Sequence, residues 1–317
     1  MVREYCNLPC SLGISHLVYK FEKRRFSRNI KRSRLENLRM TDLRQVPEYA
    51  RYMELLGWTR DKVRGVYIYS KNLPILGRII KIQRQDKIIP INLLTEFIRK
   101  KRTFSTYIEP LNIKQFDYYM NNGGFKKSNS PNLPSKTITF DLEKGSKKLL
   151  SEMHYKTRYN IGLAIRRGIE IRRSEDIHFF SKFWHQSAKR RGFYFSLEKE
   201  ITDIFTAFGK KAYILFAQLK DEIISAVLLI KADKSLHYMY AASSDIGNKN
   251  FAPTLLVWEA IRLAKKLKLK TFDFEGIYDE RFPLKSWIGF TRFKKGFGGK
   301  EVEYPPTLRR FSLLINL

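Results

Sequence analysis

Cysteine is nearly missing from this 317-residue chain: Cys6 and Cys10 are the only two, both close to the start. A disulfide framework is thereby excluded for the body of the protein, and a reducing compartment is expected. Long apolar runs are missing too, since none approaches the roughly 18 residues of a membrane span. The first residues lack a basic stretch followed by a clean apolar one, so no secretory leader is read there. The expectation is a cytoplasmic protein. Acidic residues are scarce: 31 Asp+Glu stand against 61 Lys+Arg, a net charge of +30. A surplus of that size repels itself, so an anionic partner is expected: nucleic acid, nucleotide phosphates or an acidic membrane face. Charge alone does not choose among them.

Hydrophobic residues make up 43% and aromatic residues 14% of the chain, enough for buried cores, which excludes a disordered or fibrous protein. The length suits two domains, or one large one. Residues 1–44 read as a basic N-terminal arm, densest from Lys20 to Arg39. That arm is either a solvated segment or a hold on polyanion or membrane. Cys6, Cys10 and His16 match no standard zinc spacing and lack a fourth ligand, so no metal is expected.

Residues 45–142 read as a first domain. Val46 to Trp58 has a helical pattern, and Val63 to Ser70 and Ile79 to Arg84 have strand character. Ile91 to Lys101 is expected to be helical and Ser105 to Ile108 extended. A further helix runs from Ile113 to Asn121, with Gly123-Gly124 as its stop. Ser128 to Pro134 is a polar connection, and the alternation around Ile138, Phe140 and Leu142 predicts a strand that closes the domain.

Residues 143–317 read as a second domain. Leu150, Met153, Thr157, Ile161, Ala164 and Ile165 fall at helical spacing, with Gly168 as the stop. Asp176 is placed to cap a helix with the stripe Phe180, Phe183, Trp184, Ser187 and Ala188, and Ile201 to Phe208 forms another. Ala212 to Leu219, Ile223 to Ala232 and Leu236 to Ala242 are apolar strands joined by turns so short that they pair antiparallel. A long helix from Pro253 to Lys268 and a strand from Thr271 to Phe274 follow. Three strands, a helix and a strand is the order of an acyltransferase core of the GNAT type, and the first domain has a looser version of it. The expected fold class is therefore α/β, or α+β: two GNAT-like domains, each a mixed or antiparallel sheet with flanking helices.

The densest motif is Arg292-Phe293-Lys294-Lys295-Gly296-Phe297-Gly298-Gly299. Its glycines let backbone N–H groups approach an anion, and its cations add charge. Read alone, it is equally a tight turn between strands with exposed lysines. Four further blocks accompany it: Lys156-Thr157-Arg158-Tyr159-Asn160-Ile161, Tyr240-Ala241-Ala242-Ser243, Trp258-Glu259-Ala260-Ile261 and Phe272-Asp273-Phe274-Glu275-Gly276-Ile277. In this order and spacing the five blocks resemble the FemABX family, the peptidoglycan interpeptide-bridge aminoacyltransferases. The resemblance runs from about Lys136 to Tyr304.

The resemblance implies transfer of an amino acid from aminoacyl-tRNA to the peptide-stem amine of a peptidoglycan precursor, UDP-linked or lipid-linked. It implies no metal or organic cofactor. Lys294, with Phe293 before it, matches the family position serving the transfer step and the tRNA acceptor end, and Tyr240 matches a tyrosine of the precursor site. Arg292, Lys156 and Arg158, within the matching blocks, are carried as substrate-binding candidates. Asp273 and Glu275 are candidate bases, Asp273 being equally a structural carboxylate. Two family cations are replaced, one by Ser196 and one by Met53, which points away from a UDP-linked precursor. A monomer at the inner face of an anionic membrane is the expected setting. Two rivals remain: an acetyl-CoA-dependent N-acyltransferase, disfavoured by the single glycine between Asp245 and Pro253, and a non-catalytic RNA-binding protein. Aminoacyl transfer to a protein or another amine is a variant of the main reading.

Overall fold

The computed structural model describes residues 40–74 and 77–312. The run from Lys20 to Arg39 and both cysteines lie outside the described residues. The chain enters through a short 3-10 turn at Leu43–Gln45 and then α1 (Pro47–Leu55), which has proline in its first turn, where no amide is needed. The strands β1 (Thr59–Val63), β2 (Val66–Leu73) and β3 (Gly77–Gln83) follow as antiparallel neighbours. After α2 (Ile91–Lys100), β4 (Thr103–Glu109) lies parallel to β3. Asn112 caps α3 (Ile113–Asn122) by accepting from the Gln115 amide, and a two-residue strand, β5 (Lys126–Lys127), completes this stretch.

The second stretch begins with β6 (Lys136–Asp141), α4 (Ser146–Glu152), α5 (Tyr155–Arg166) and β7 (Ile169–Ser174). Gly168, at φ +77°, ends α5 by taking a left-handed conformation, as its position predicts. Asp176 caps α6 (Ile177–Arg190) through the Phe179 amide, and α7 (Glu198–Phe208) ends at Gly209. β8 (Ala212–Leu219), β9 (Glu222–Ala232) and β10 (Ser235–Ser243) pair antiparallel, as the two-residue turns require. A short α8 (Asp245–Lys249) and the long α9 (Ala252–Lys266) cross over to β11 (Thr271–Asp273), which is parallel to β10. Both halves thus repeat three antiparallel strands, a helix and a parallel strand.

The chain closes with α10 (Ile288–Lys295), β12 (Lys300–Glu303) and β13 (Leu308–Phe311). Two sheets result, ordered β1-β2-β3-β4-β13-β5 and β12-β6-β11-β10-β9-β8-β7. The division at Leu142 does not follow the sheets. β6 sits between β12 and β11, where Ile138 and Phe140 join the second core, while β13 returns to the first sheet beside β4. The sheets therefore exchange segments at 136–141 and 308–311.

One apolar core lies between α5, α9 and one face of the second sheet, and another lies on the first sheet with Leu94, Ile98 and Tyr119 of α2 and α3. A third core is shared. It joins Tyr49, Tyr52 and Met53 of α1 and Tyr67 and Tyr69 of β2 to Phe180, Ile201, Ile204 and the opposite face of the second sheet. Each such side chain contributes about 1.5–3 kcal/mol on burial, so α1 fastens the two sheets together.

Candidate active site at the parted strands of the second sheet

β10 and β11 pair over only three positions, Ser235↔Thr271, Leu236↔Phe272 and His237↔Asp273. Beyond them β10 stays with β9 to Ser243, while the other chain follows β6, with Phe274 N donating to Ile138 O and Ile277 N to Lys136 O. The strands part, and the carbonyls of Phe274 and Gly276 face the opening. Glu275 at φ +55° and Gly276 at φ +121° turn the chain there. A Cβ on Gly276 would come within 3.0 Å of Pro134 and 3.2 Å of Trp287, so space and φ both require glycine.

Lys294, 8% exposed, reaches into this opening from α10. Its Nζ donates to Phe274 O at 2.8 Å and Gly276 O at 2.6 Å, satisfying two carbonyls that the parted strands leave unpaired. The rings of Phe290, Phe274 and Tyr238 lie 4.9, 5.6 and 5.8 Å from the nitrogen. Burial pulls its pKa down to about 8, with the charges of Asp273 and Glu275 opposing the fall. The ammonium keeps one N–H for a further acceptor. The segment, for which a tight turn between strands was one of two equal readings, is the last turn of a helix followed by a glycine turn. Helical spacing turns Lys294 inward, leaves Arg292 exposed and sets Lys295 on Glu301 at 2.7 Å. Phe293 packs edge-on against Phe297 at 5.2 Å.

Behind Lys294 is an ionic cluster that the sequence reading did not find. Arg44 takes both carboxylate oxygens of Glu275, Oε1 at 3.1 Å and Oε2 more closely, while His237 Nδ1 lies 2.7 Å from Oε1. Burial disfavours the Glu275 charge, but Arg44 and His237 outweigh it and hold the carboxyl well below its ordinary range. Burial likewise opposes charge on His237, yet its bond to Glu275 raises its pKa. Asp273 moves the other way: burial and the neighbouring Glu275 charge raise it. Its Oδ1 accepts from Thr137 Oγ1 at 2.6 Å and from the Glu275 amide at 2.8 Å. Both carboxylates thus have structural duties, and neither is a free base. His237, Asp273 and Glu275 offer ligand atoms within 4.8 Å of one another. Arg44 already neutralises Glu275, so the cluster is an ion-pair network and a poor cation cage.

Tyr240 is reached through a bulge. Register shifts between Tyr238 and Tyr240, so Leu236 and Tyr238 face the core beneath α9 while Tyr240 faces the shared core. Its ring stands edge-on to Trp184 at 5.8 Å, and its hydroxyl affects Tyr52 of α1. Strict alternation would have put Tyr238 and Tyr240 on the same face. Lys294 and Tyr240 therefore approach the parted strands from opposite faces. Of the α5 candidates, Lys156 is exposed, whereas Arg158 Nη1 is bound to Met153 O and to Ser151 O at 3.3 Å, closing the end of α4. Ser196 is exposed and its Oγ accepts from the Glu198 amide at the start of α7, while Met53 is buried in the shared core.

The FemAB family profile matches residues 121–222 and 219–309, a span that contains the parted strands, Lys294 and Tyr240. The chain belongs to the FemAB family. As a FemAB protein it is an acyltransferase. Its fold is similar to that of the crystal structure of FemX, with a TM-score of 0.75 and 16% identity over 86% of this chain and 93% of that one. It also resembles a conserved protein of unknown function from Bacteroides thetaiotaomicron VPI-5482, with a TM-score of 0.60 and 10% identity over 86% of this chain and 93% of that one. L-PGS from Bacillus licheniformis aligns at a TM-score of 0.56 and 13% identity, over 83% of this chain and 88% of that one. No curated protein sequence matches the chain. Among the described residues no helix is long and apolar enough to cross a membrane.

Proposed function

We propose that this FemAB protein moves an aminoacyl group from aminoacyl-tRNA to the peptide-stem amine of a peptidoglycan precursor. The observation that carries the reading is Lys294 in the parted strands, where among the described residues two of its three N–H groups are spent on Phe274 O and Gly276 O; the resemblance matches it to the family's transfer position. The amine nitrogen attacks the ester carbonyl carbon, and the C–N bond forms as the carbonyl π electrons move onto oxygen. Collapse breaks the ester C–O bond, and the proton shed by the amine ends on the departing ribose oxygen. The remaining Lys294 N–H is suited to the transient oxyanion, which a buried donor stabilises more than water does. Phe293 and Arg292 border this donor side, and Tyr240 serves the acceptor from the other face.

The acetyl-CoA alternative requires free backbone amides ahead of α9. Here they are spent within the chain: Gly247 N donates to Ser244 Oγ, Asn248 N to Ser244 O, Asn250 N to Ile246 O and Phe251 N to Asn248 O. The loop folds into α8 instead of a phosphate cradle. The serine at 196, where the family resemblance leads to an arginine, favours a lipid-linked acceptor, and on that reading the enzyme meets its acceptor at the inner face of an anionic membrane. The test is transfer of radiolabel from charged tRNA to UDP-linked and lipid-linked muropeptides offered separately. The reading expects alkali-stable label in the lipid-linked product, and label that stays on tRNA with both acceptors would reject it.

A further inference from the structure

The loop between α6 and α7 carries a surface that the transfer chemistry leaves unused. Tyr194 and Phe195 follow one another there and are 65% and 55% exposed, an apolar pair left in water. Gly192, at φ +84°, turns the chain out of α6, and a Cβ added to it would meet nothing within 4 Å, so the loop starts in open space. Phe193 roots the loop: it is buried, and its ring stands edge-on to Trp184 at 5.9 Å. Lys189, Arg190 and Arg191 precede the rings and are all exposed, and no acidic residue occurs from Ile177 to Leu197. Arg190 Nη2 is fixed on Ser243 O at 2.9 Å, a neutral acceptor that leaves its charge in place. On the other side of the loop Lys199 Nζ donates to Leu55 O at 3.1 Å, which brings the exposed Leu55 at the end of α1 beside the first turn of α7.

We propose that this loop is a membrane-docking tip: Tyr194 and Phe195 enter the headgroup layer of an anionic bilayer while the cations before them meet lipid phosphates. Aromatic rings settle where headgroups give way to acyl chains, and a tyrosine keeps its hydroxyl in the wet layer. Each lysine or arginine near an anionic surface adds attraction that fades within a Debye length. Charge of one sign beside two apolar rings complements such a bilayer, which offers phosphates and, just below them, hydrocarbon. RNA offers the phosphates but meets rings only by stacking, and it is the alternative that the test separates. The tip is also joined to the acceptor side of the site, because Trp184, on which Phe193 packs, stands edge-on to Tyr240 at 5.8 Å. That the bilayer brings the acceptor rests on the transfer reading above; that the loop meets a bilayer rests on its rings and charges.

The test is flotation of the full chain with phosphatidylglycerol vesicles and, separately, phosphatidylcholine vesicles, beside fluorescence anisotropy with a labelled RNA hexanucleotide. Wild type should float with phosphatidylglycerol well above phosphatidylcholine, and less as salt is added. Tyr194→Ser/Phe195→Ser should lower that partition about tenfold or more. Tyr194→Trp/Phe195→Trp should hold it, and RNA binding should hardly move in either pair. Since both rings are exposed, the serine pair should keep the wild-type thermal midpoint. Wild type that ignores phosphatidylglycerol, equal flotation with both lipids, a serine pair that floats as wild type does, or a loss confined to RNA would each overturn the proposal. If the serine pair loses vesicles while wild type moves no label to any muropeptide, the docking tip stands and the transfer reading fails. If wild type labels lipid-linked muropeptide in vesicles and the serine pair does so with the same KM, the tip alone fails.

Discussion

Replacing Lys294 by methionine keeps the side chain out to Cε and removes its charged nitrogen. Burial holds the lysine pKa at about 8 in place of 10.5. At about 1.36 kcal/mol per pH unit, the charged form therefore opposes folding by about 3 kcal/mol. Methionine removes that cost but leaves Phe274 O and Gly276 O without their donor, a loss of about 1–3 kcal/mol each. The two effects offset, so the unfolding free energy near neutral pH should fall by no more than about 3 kcal/mol. The pH dependence isolates the lysine. Its folded pKa lies below its unfolded one, so between about pH 8 and 10.5 the unfolded chain binds more protons, and stability rises with pH across that window. Wild type should gain about 3 kcal/mol on Lys294→Met there, other groups titrating alike in both proteins. Urea unfolding of the pair across that window measures the gain, and a constant difference would refute the argument from burial. Catalysis should suffer more than folding. Losing the oxyanion donor costs about 10²–10³ in kcat, and the ratio of wild-type to variant rate should decline as pH rises through the lysine pKa. A ratio that climbs instead would make the neutral amine the working form.

Three other expectations follow from the site. Glu275→Gln leaves the buried Arg44 with Asp42, at 3.6 Å, as its one ion-pair partner among the described residues, so urea unfolding should show a loss of about 3–5 kcal/mol; a change below about 1 kcal/mol would show the ion pair to be inert. His237 has its pKa raised by Glu275 against burial, so its contribution is whole below its ordinary value of 6.5 and fades as pH climbs through the higher folded value. His237→Gln should flatten that decline, and an imidazole titration by NMR with a midpoint under 6.5 would contradict it. Gly247→Ala would bring a Cβ to 2.1 Å from Ile224 O, and the forced shift of α8 should lower stability by about 1–3 kcal/mol in thermal unfolding; an unchanged midpoint would mean that α8 yields freely.

The repeated order of three strands, a helix and a strand was legible because each element carries its own period and its own stop, as Gly168 and Gly209 show. The exchange of β6 and β13 between sheets was not, since strand patterning reports burial and says nothing of which sheet receives the strand. Lys294 was found through its motif, but its burial depends on the helical phase of 288–295, which the glycines that follow disguise as a turn. Arg44 is the instructive miss. It sits at the edge of a run of basic residues, where composition suggests a solvated charge, and its partner Glu275 lies 231 positions away. Only the packing of the 3-10 turn before α1 against the second sheet joins them. On α5 the block from Lys156 to Ile161 was legible as a motif, but motif spacing could not tell that Lys156 stays exposed while Arg158 closes the end of α4.

The central claim is aminoacyl transfer from charged tRNA to a muropeptide amine with Lys294 in the opening of the second sheet. The most direct measurement is a single-turnover transfer assay using tRNA charged with radiolabelled amino acids, with wild type and Lys294→Met side by side. Label should appear in the lipid-linked muropeptide, stable to mild alkali, with the variant slower by at least tenfold. Label that remains on tRNA with wild type, or a variant that matches wild type, would contradict it.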